Sequence, residues 1–423
     1  MLLKFKITAL LIAALTWKVF SFQILIPMDE VQKNHLKAYG IAYWALKNEL
    51  EIRWLLNYRG GSFLLPGNKV ITNECNVRGV TYEAISDAQA AAILQEISNP
   101  EVNQDAVKLE KAPKVAVYSP KRKKPWDDAV TLALAYAEIP YDVVYDDEVL
   151  GGKLKEYDWL HLHHEDFTGQ YGRFYAQFAG AAWYKAEVKE NEDIAKRWGF
   201  NKVSQLKLAV AKKIDEFVTN GGFMFAMCSA TDSYDIALDA EGVDICGPMY
   251  DGDPADPNMN TKIDYSKGYA FENYKLIANP LEYEFSNIDT YFTRNQYGIT
   301  KETDKFMLFD FSAKWDPVPT MLCQNHTNVI QGFWGQTVAF NKDYVKKNVL
   351  IMGEAKAFNE ARYIHGERGK GTWTWYGGHD PEDYMHKVED PPTDLNLHPN
   401  SPGYRLILNN VLFPAAKKKK QKT

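Results

Sequence analysis

Four cysteines are too few to organise a chain of 423 residues. A chain long enough for a large apolar core has no need of covalent staples, so a disulfide framework is excluded as the basis of the fold. Single pairs stay open, and a Cys228–Cys246 bridge is one of them. Positive charge is also in deficit: 49 Lys and Arg against 55 Asp and Glu leave a net charge of −6. A phosphate backbone demands a concentrated basic face, so no nucleic-acid partner is expected. The two basic runs, Lys121-Arg122-Lys123-Lys124 and Lys417-Lys418-Lys419-Lys420, read as a solvated turn and a tail. No apolar run after the first residues reaches the roughly 18 to 20 residues that cross a bilayer, which excludes a stable helical membrane span. Internal repeats are absent, and low complexity is confined to the lysine tail.

What is present begins with Lys4 and Lys6, an apolar stretch from Ile7 to Leu15, and Val19-Phe20-Ser21 with a small residue at the cleavage position. This is the pattern of a secretory signal. Residues 1–21 are expected to be removed and the mature chain to be soluble and exported, periplasmic or extracellular. The length suggests about two domains. Residues 22–100 read as a βαβα unit, with Asp29 and Gln32 as one helix cap and Ser86 with Gln89 as another. Residues 101–113 are polar and Pro-bounded and read as a linker. Strand and helix patterns then alternate over 114–413 in the order of a mostly parallel sheet flanked by helices. Within that series 167–200 is an aromatic and charged excursion of the kind that forms a lid, and 414–423 is the basic tail.

The second unit is built around Gly221-Gly222-Phe223-Met224-Phe225-Ala226-Met227-Cys228-Ser229-Ala230-Thr231-Asp232. The continuous apolar run predicts a strand covered on both faces, and Ser229 with Asp232 has capping-box spacing. Cys228 then falls at the carboxyl end of a strand beside a helix amino terminus, where α/β sheets place ligands and where a thiolate is favoured. Ala226 and Ala230 leave room for a tight nucleophile elbow.

This stretch, together with Gly369-Lys370-Gly371-Thr372-Trp373-Thr374-Trp375-Tyr376-Gly377-Gly378-His379-Asp380-Pro381-Glu382, resembles the class I glutamine amidotransferase superfold and, within it, the ThuA-like branch. The resemblance covers roughly residues 114 to 413 and implies a flavodoxin-like α/β sheet. It also implies Cys228 as nucleophile and His379 as base. The family's acid position is occupied by Pro381, which leaves Asp380 or Glu382 to serve. In the ThuA-like branch a histidine commonly stands at the elbow, where this chain has Cys228. Over its whole length the chain is similar to a group of exported bacterial proteins named asparagine synthetase B, through Ile24-Leu25-Ile26-Pro27-Met28-Asp29-Glu30, the stretch from Leu160 to Gly172, and that from Asp394 to Tyr404. The Ser-Gly-Gly-x-Asp-Ser loop with which asparagine synthetases bind ATP is absent, so the motifs do not support glutamine-hydrolysing asparagine synthesis.

Two chemistries follow. In the first, Cys228 attacks an amide or ester, His379 transfers the proton, Asp380 or Glu382 orients the imidazole, and backbone N–H groups at Ser229 and Gly169 hold the oxyanion, with Asp232 nearby. The competing reading makes Cys228 a small buried hydrophobe. In the second, His161, His163 and Glu165 on one face of a strand, or His164 on the other, help bind a divalent metal of the zinc type, with His379, His386 and His398 as further donors. No other cofactor is implied. Asp251-Gly252-Asp253-Pro254-Ala255-Asp256 reads as a turn before it reads as a calcium loop. The aromatics Trp183, Tyr184, Trp198, Trp334, Trp373 and Trp375 can stack on sugar rings or fill a core. The expected partner is a small molecule or a carbohydrate.

Overall fold

The computed structural model describes residues 22–416 apart from Lys123. The signal-peptide reading and the lysine run of the tail lie outside the described residues. No helix among the described residues is long and apolar enough to cross a membrane.

The chain opens with β1 (Phe22–Ile26), α1 (His35–Lys47), β2 (Ile52–Leu56), β3 (Ser62–Pro66), α2 (Lys69–Arg78), β4 (Glu83–Ser86), α3 (Asp87–Ser98) and β5 (Asp105–Leu109). The strands form one sheet in the order β4-β1-β3-β2-β5, antiparallel throughout. The linker expected at 101–113 therefore contains the fifth strand of this sheet, paired along β2 from Ile52↔Leu109 to Leu56↔Asp105. Its Asp105-Ala106-Val107-Lys108-Leu109 alternation is too short to stand out beside prolines. The Ser86–Gln89 capping box forms as expected. The Asp29–Gln32 cap does not: Asn34 caps α1 by accepting the Lys37 N–H at 2.9 Å, while Asp29 pairs with Arg59 at 2.7 Å. At Gly60, which has φ 74°, a β-carbon would sit 2.3 Å from the Met28 carbonyl oxygen, so the β2–β3 turn requires glycine.

The second unit runs β6 (Val115–Tyr118), α4 (Ala129–Tyr136), β7 (Tyr141–Val144), α5 (Asp146–Leu150) and β8 (Trp159–Leu162). Next come α6 (Tyr175–Phe178), α7 (Ala182–Arg197), α8 (Val203–Thr219), β9 (Phe223–Met227) and α9 (Asp232–Asp239). A stretch of short elements follows: α10 (Pro248–Asp251), α11 (Tyr291–Tyr297), β10 (Lys305–Leu308), α12 (Pro317–Leu322), β11 (Val329–Gln331) and β12 (Phe340–Asn341). The chain closes with β13 (Leu350–Ala355), β14 (Glu360–Arg368), β15 (Gly371–Tyr376) and α13 (Pro402–Leu412). The main path of the large sheet is β11-β10-β13-β14-β15-β9-β8-β6-β7. Its β7-β6-β8-β9-β15 half is parallel, and the β14, β13, β10, β11 half is antiparallel. The fold is thus mixed α/β, with a large sheet beside a smaller antiparallel one. In the parallel half the strand order reverses between β6 and β8, and such a reversal opens a crevice at the carboxyl ends of the strands.

Alternation along the parallel strands divides the interior in two. Val115, Val117, Trp159 and Phe225 face one core, and Ala116, Leu160, Leu162 and Ala226 face the other. The first core is shared: Ile24, Leu36, Trp54 and Phe63 of the first unit belong to it with Val130, Tyr404 and Leu408 of the second. Close approach makes this possible, since a β-carbon on Gly40 of α1 would lie 2.0 Å from the Ala137 oxygen at the end of α4. The tail begins inside this assembly, where Glu110 N–H donates to the Ala415 oxygen at 2.9 Å and Leu109 bridges to Ala416.

The 167–200 insertion supplies α6 and α7. Arg122 of the basic loop holds α7 through Glu187 at 2.7 Å and Glu190 at 2.8 Å, so part of that loop is an anchor and not only a solvated turn.

Candidate functional site

Cys228 stands directly after β9 with φ 52°, a left-handed value that costs a non-glycine residue energy and is kept only where its surroundings fix it. They do so from both sides. The Cys228 N–H donates to the Gly378 oxygen at 3.2 Å and the Ala230 N–H to the His163 oxygen at 2.9 Å, tying the elbow to the ends of β15 and β8. The Gln336 N–H donates to Cys228 Sγ at 3.3 Å. Burial nevertheless pushes the thiol up to about 11, against the backbone donors of Gln336, Ser229 and Thr337 and with the Asp232 charge adding to the rise. The expected helix terminus is displaced: Cys228–Ala230 form a 3₁₀ turn, and α9 starts at Asp232 behind Thr231 with no side-chain cap bond. The Ser229–Asp232 capping box is therefore not formed. All four cysteines are free, so the Cys228–Cys246 bridge is not formed either.

The expected triad is not assembled. Asp380 accepts the Glu382 N–H at 2.8 Å and the Tyr404 hydroxyl at 2.8 Å, and Glu382 pairs with His398 at 3.0 Å. Neither orients His379, and among the described residues no hydrogen bond joins His379 to Cys228. Gly169 packs on Ser204 at the start of α8, where a β-carbon would meet Ser204 Cα at 2.7 Å, and it does not line the Cys228 cavity. Ser229 does line it. Asp232 is buried, accepts the Thr337 hydroxyl at 2.7 Å, and is pushed up to about 7 by its burial.

His379 instead joins a cluster of imidazoles. Its ring lies 4.7 Å from that of His164, 4.9 Å from that of His163, and stacks on His386 at 4.4 Å. Parallel pairing of β15 on β9 and β9 on β8 carries His379 and His163 to the same edge. Burial holds His164 and His379 well below the usual imidazole range, with neighbouring imidazoles adding to the effect. Asp128 caps α4 through Val130 N–H at 2.8 Å and Thr131 N–H at 2.9 Å, and lies 3.4 Å from His163 Nδ1 and 3.3 Å from His161 Nε2. Burial opposes its charge, yet those two imidazoles hold its carboxyl well below the usual range. His161 sits one layer deeper, bonded through Nδ1 to the Phe225 oxygen at 3.1 Å. Glu165 is committed to an ion pair with Lys124, which removes it from the set of free donors.

Four residue groups, linked through shared histidines or adjacent aspartates, bring ligand atoms within 4.8 Å of one another at this edge: His163, His164 and His379; Asp127, His379 and His386; Asp128, His161 and His163; and Asp383, His386 and Asp390. Asp127 and Asp128 were hidden in the sequence as an ordinary helix start, and Gln336 lies in a stretch without periodicity. At the Asp251 turn, Asp244, Cys246 and Asp251 form a further such group, but Lys202 Nζ already neutralises its carboxylates, 2.6 Å from Asp244, 3.0 Å from Asp251 and 2.5 Å from Asp253. Of the sugar-stacking candidates, Trp373 and Trp375 are core residues. Trp183 and Trp334 stand at the site.

A cavity of about 180 Å³ is lined by Trp126, His164, Phe174, Cys228, Gln336 and His379. Beside it a cleft of about 1250 Å³ shares Trp126, Phe174, Tyr283 and Tyr291 with the cavity and adds Phe178 and Trp183.

No family model matches the chain, and no curated protein matches it. Among solved structures, two cytoplasmic proteins from Salmonella typhimurium align over 72% of this chain and 100% of theirs, at 10% and 11% identity with TM-scores of 0.34 and 0.33. A GH42 beta-galactosidase, Gan42B, aligns over 64% of this chain and 28% of its own at 11% identity, with a TM-score of 0.28. Likenesses this loose carry no argument about fold or activity.

Proposed function

We propose that the chain is an exported hydrolase of carbohydrate or related cell-envelope material, built on an amidotransferase-like, ThuA-like sheet. The observation that carries this reading is the continuity of the aromatic cleft with the small cavity at the histidine edge. Flat rings set among polar groups such as Gln177, Lys387 and Asp390 suit a substrate with apolar ring faces and hydroxylated edges. The cavity admits a group about the size of one sugar ring, and the cleft holds what extends from it. The order of the parallel strands and the elbow after β9 support the amidotransferase-like fold. The sequence signal supports export. The acyl-transfer role of Cys228 is set aside, because a thiol pushed up to about 11 and lacking an imidazole partner is a poor nucleophile near neutrality.

Titration of the purified chain with a panel of neutral oligosaccharides, followed by calorimetry and by reducing-end release, tests the reading. Binding is expected, and Trp183→Ala weakens it about tenfold or more, the loss of one aromatic platform. Absence of binding across the panel, or wild-type binding by both Trp183→Ala and Trp126→Ala, would sink it.

A further inference from the structure

Buried histidines away from the crevice have partners. His35 is bonded at both nitrogens, to Asn400 at 2.9 Å and to the Met28 oxygen at 3.0 Å, and His365 meets the Thr374 hydroxyl at 2.9 Å. At the carboxyl edge the pattern breaks. Nε2 of His163, His164 and His379, and Oδ2 of Asp127, are buried without a hydrogen-bond partner, while His386 Nε2 faces Asp127 Oδ1 at 3.1 Å. One such orphan is tolerable, but several imidazole nitrogens converging at one point suit an occupant that accepts lone pairs.

We propose that His163, His164 and His379 bind one divalent cation of the zinc class, with Asp127 and His386 beside them supplying the remaining donor or holding a water. One ligand atom from each of the three histidines lies within 4.8 Å of the others, and Nε2 is the free nitrogen on all three. A tetrahedral ion with bonds of about 2.0 to 2.1 Å needs nitrogens about 3.3 Å apart, which modest ring rotations supply. The supporting carboxylates are in place. Asp128 lies behind His163 Nδ1 at 3.4 Å, and Asp383 behind His386 Nδ1 at 2.8 Å. A carboxylate behind the non-ligating nitrogen fixes the tautomer and turns Nε2 toward the metal. Imidazole nitrogens with one carboxylate suit zinc or a similar borderline ion better than calcium or magnesium, which prefer oxygen. Lys124, whose charge bears on His164, is paired with Glu165.

This proposal deepens the hydrolase reading, since the ion stands in the cavity that ends the cleft. A metal there polarises the substrate oxygen or acidifies a bound water, chemistry that Cys228 does not supply.

The test uses the full chain, stripped with chelator and titrated with Zn²⁺ and Co²⁺ salts. The expected result is one equivalent of either ion retained through gel filtration, and with Co²⁺ the intense visible bands of a four- or five-coordinate site. His164→Asn and His379→Asn, chosen to keep volume and polarity, each weaken Co²⁺ binding by about 100-fold. His398→Ala, outside the cluster and paired with Glu382, leaves it unchanged. Circular dichroism establishes that each variant is folded. A wild-type chain that retains no ion, or cobalt bands unaltered in folded His379→Asn, overturns the proposal. Cobalt bands without oligosaccharide binding remove the carbohydrate reading alone, and binding without cobalt bands removes the metal alone.

Discussion

A cysteine at an elbow is only as reactive as its thiol is acidic. Cys228 has the geometry of a nucleophile, with strained φ and a backbone donor on sulfur, but lies in surroundings that keep its proton on. Iodoacetamide at pH 7.5 is therefore expected to leave Cys228 unmodified in the folded chain, with alkylation rising only as the pH approaches 11. Peptide mass spectrometry after timed quenching reads this site by site, and rapid labelling at neutral pH would restore the acyl-transfer chemistry. Cys228 and His379, the pair singled out in the sequence, line one cavity, because each follows a strand that runs to the same edge. The sequence could not say that Asp380 is spent on Tyr404, or that Asp127 and Asp128 reach the histidines from another strand's end. Those relations depend on side-chain direction across separate elements, which no local pattern carries.

At the level of elements, what was legible is what local chemistry alone decides. The β14–β15 hairpin, the strands β8 and β9, helix α8 and the Ser86 capping box all follow from short-range pattern. The antiparallel first sheet and the chain between α9 and β13 do not, since their short elements are held by distant partners and not by periodicity. Helix α1 shows how strict such packing can be. In an isolated helix Gly40→Ala would gain about 1 kcal/mol. Here its β-carbon would meet the Ala137 oxygen at 2.0 Å, and a backbone oxygen at a helix end does not move cheaply. Gly40→Ala is expected to destabilise the protein by about 1 to 3 kcal/mol, read as a lowered urea midpoint at unchanged slope.

At the scale of the whole molecule the two sheets are joined by a buried polar seam. His35 stacks on His326 at 4.4 Å, and Arg405 of α13 reaches His326 Nδ1 at 3.0 Å, the Met28 oxygen at 2.9 Å and the Gly60 oxygen at 2.8 Å. Burial lowers His35 from 6.5 to about 3, with Arg405 and His326 adding, and lowers His326 to about 4, with Arg405 adding. Both imidazoles are neutral in the folded protein and take up protons on unfolding. Their contribution is complete above pH 6.5 and is lost as the pH falls through 6.5 toward 4 and 3. Urea unfolding is expected to show stability falling over that window and a shallower fall in His326→Asn. Equal slopes for the two proteins would remove the seam as the cause.

Tyr39 of α1 bonds to Asn409 of α13, so the first helix of the first unit packs on a helix more than 350 residues later in the chain. Synthesis from the amino terminus therefore leaves α1 without this partner until α13 has emerged. Packing of α1 is therefore expected to be completed only once α13 is present.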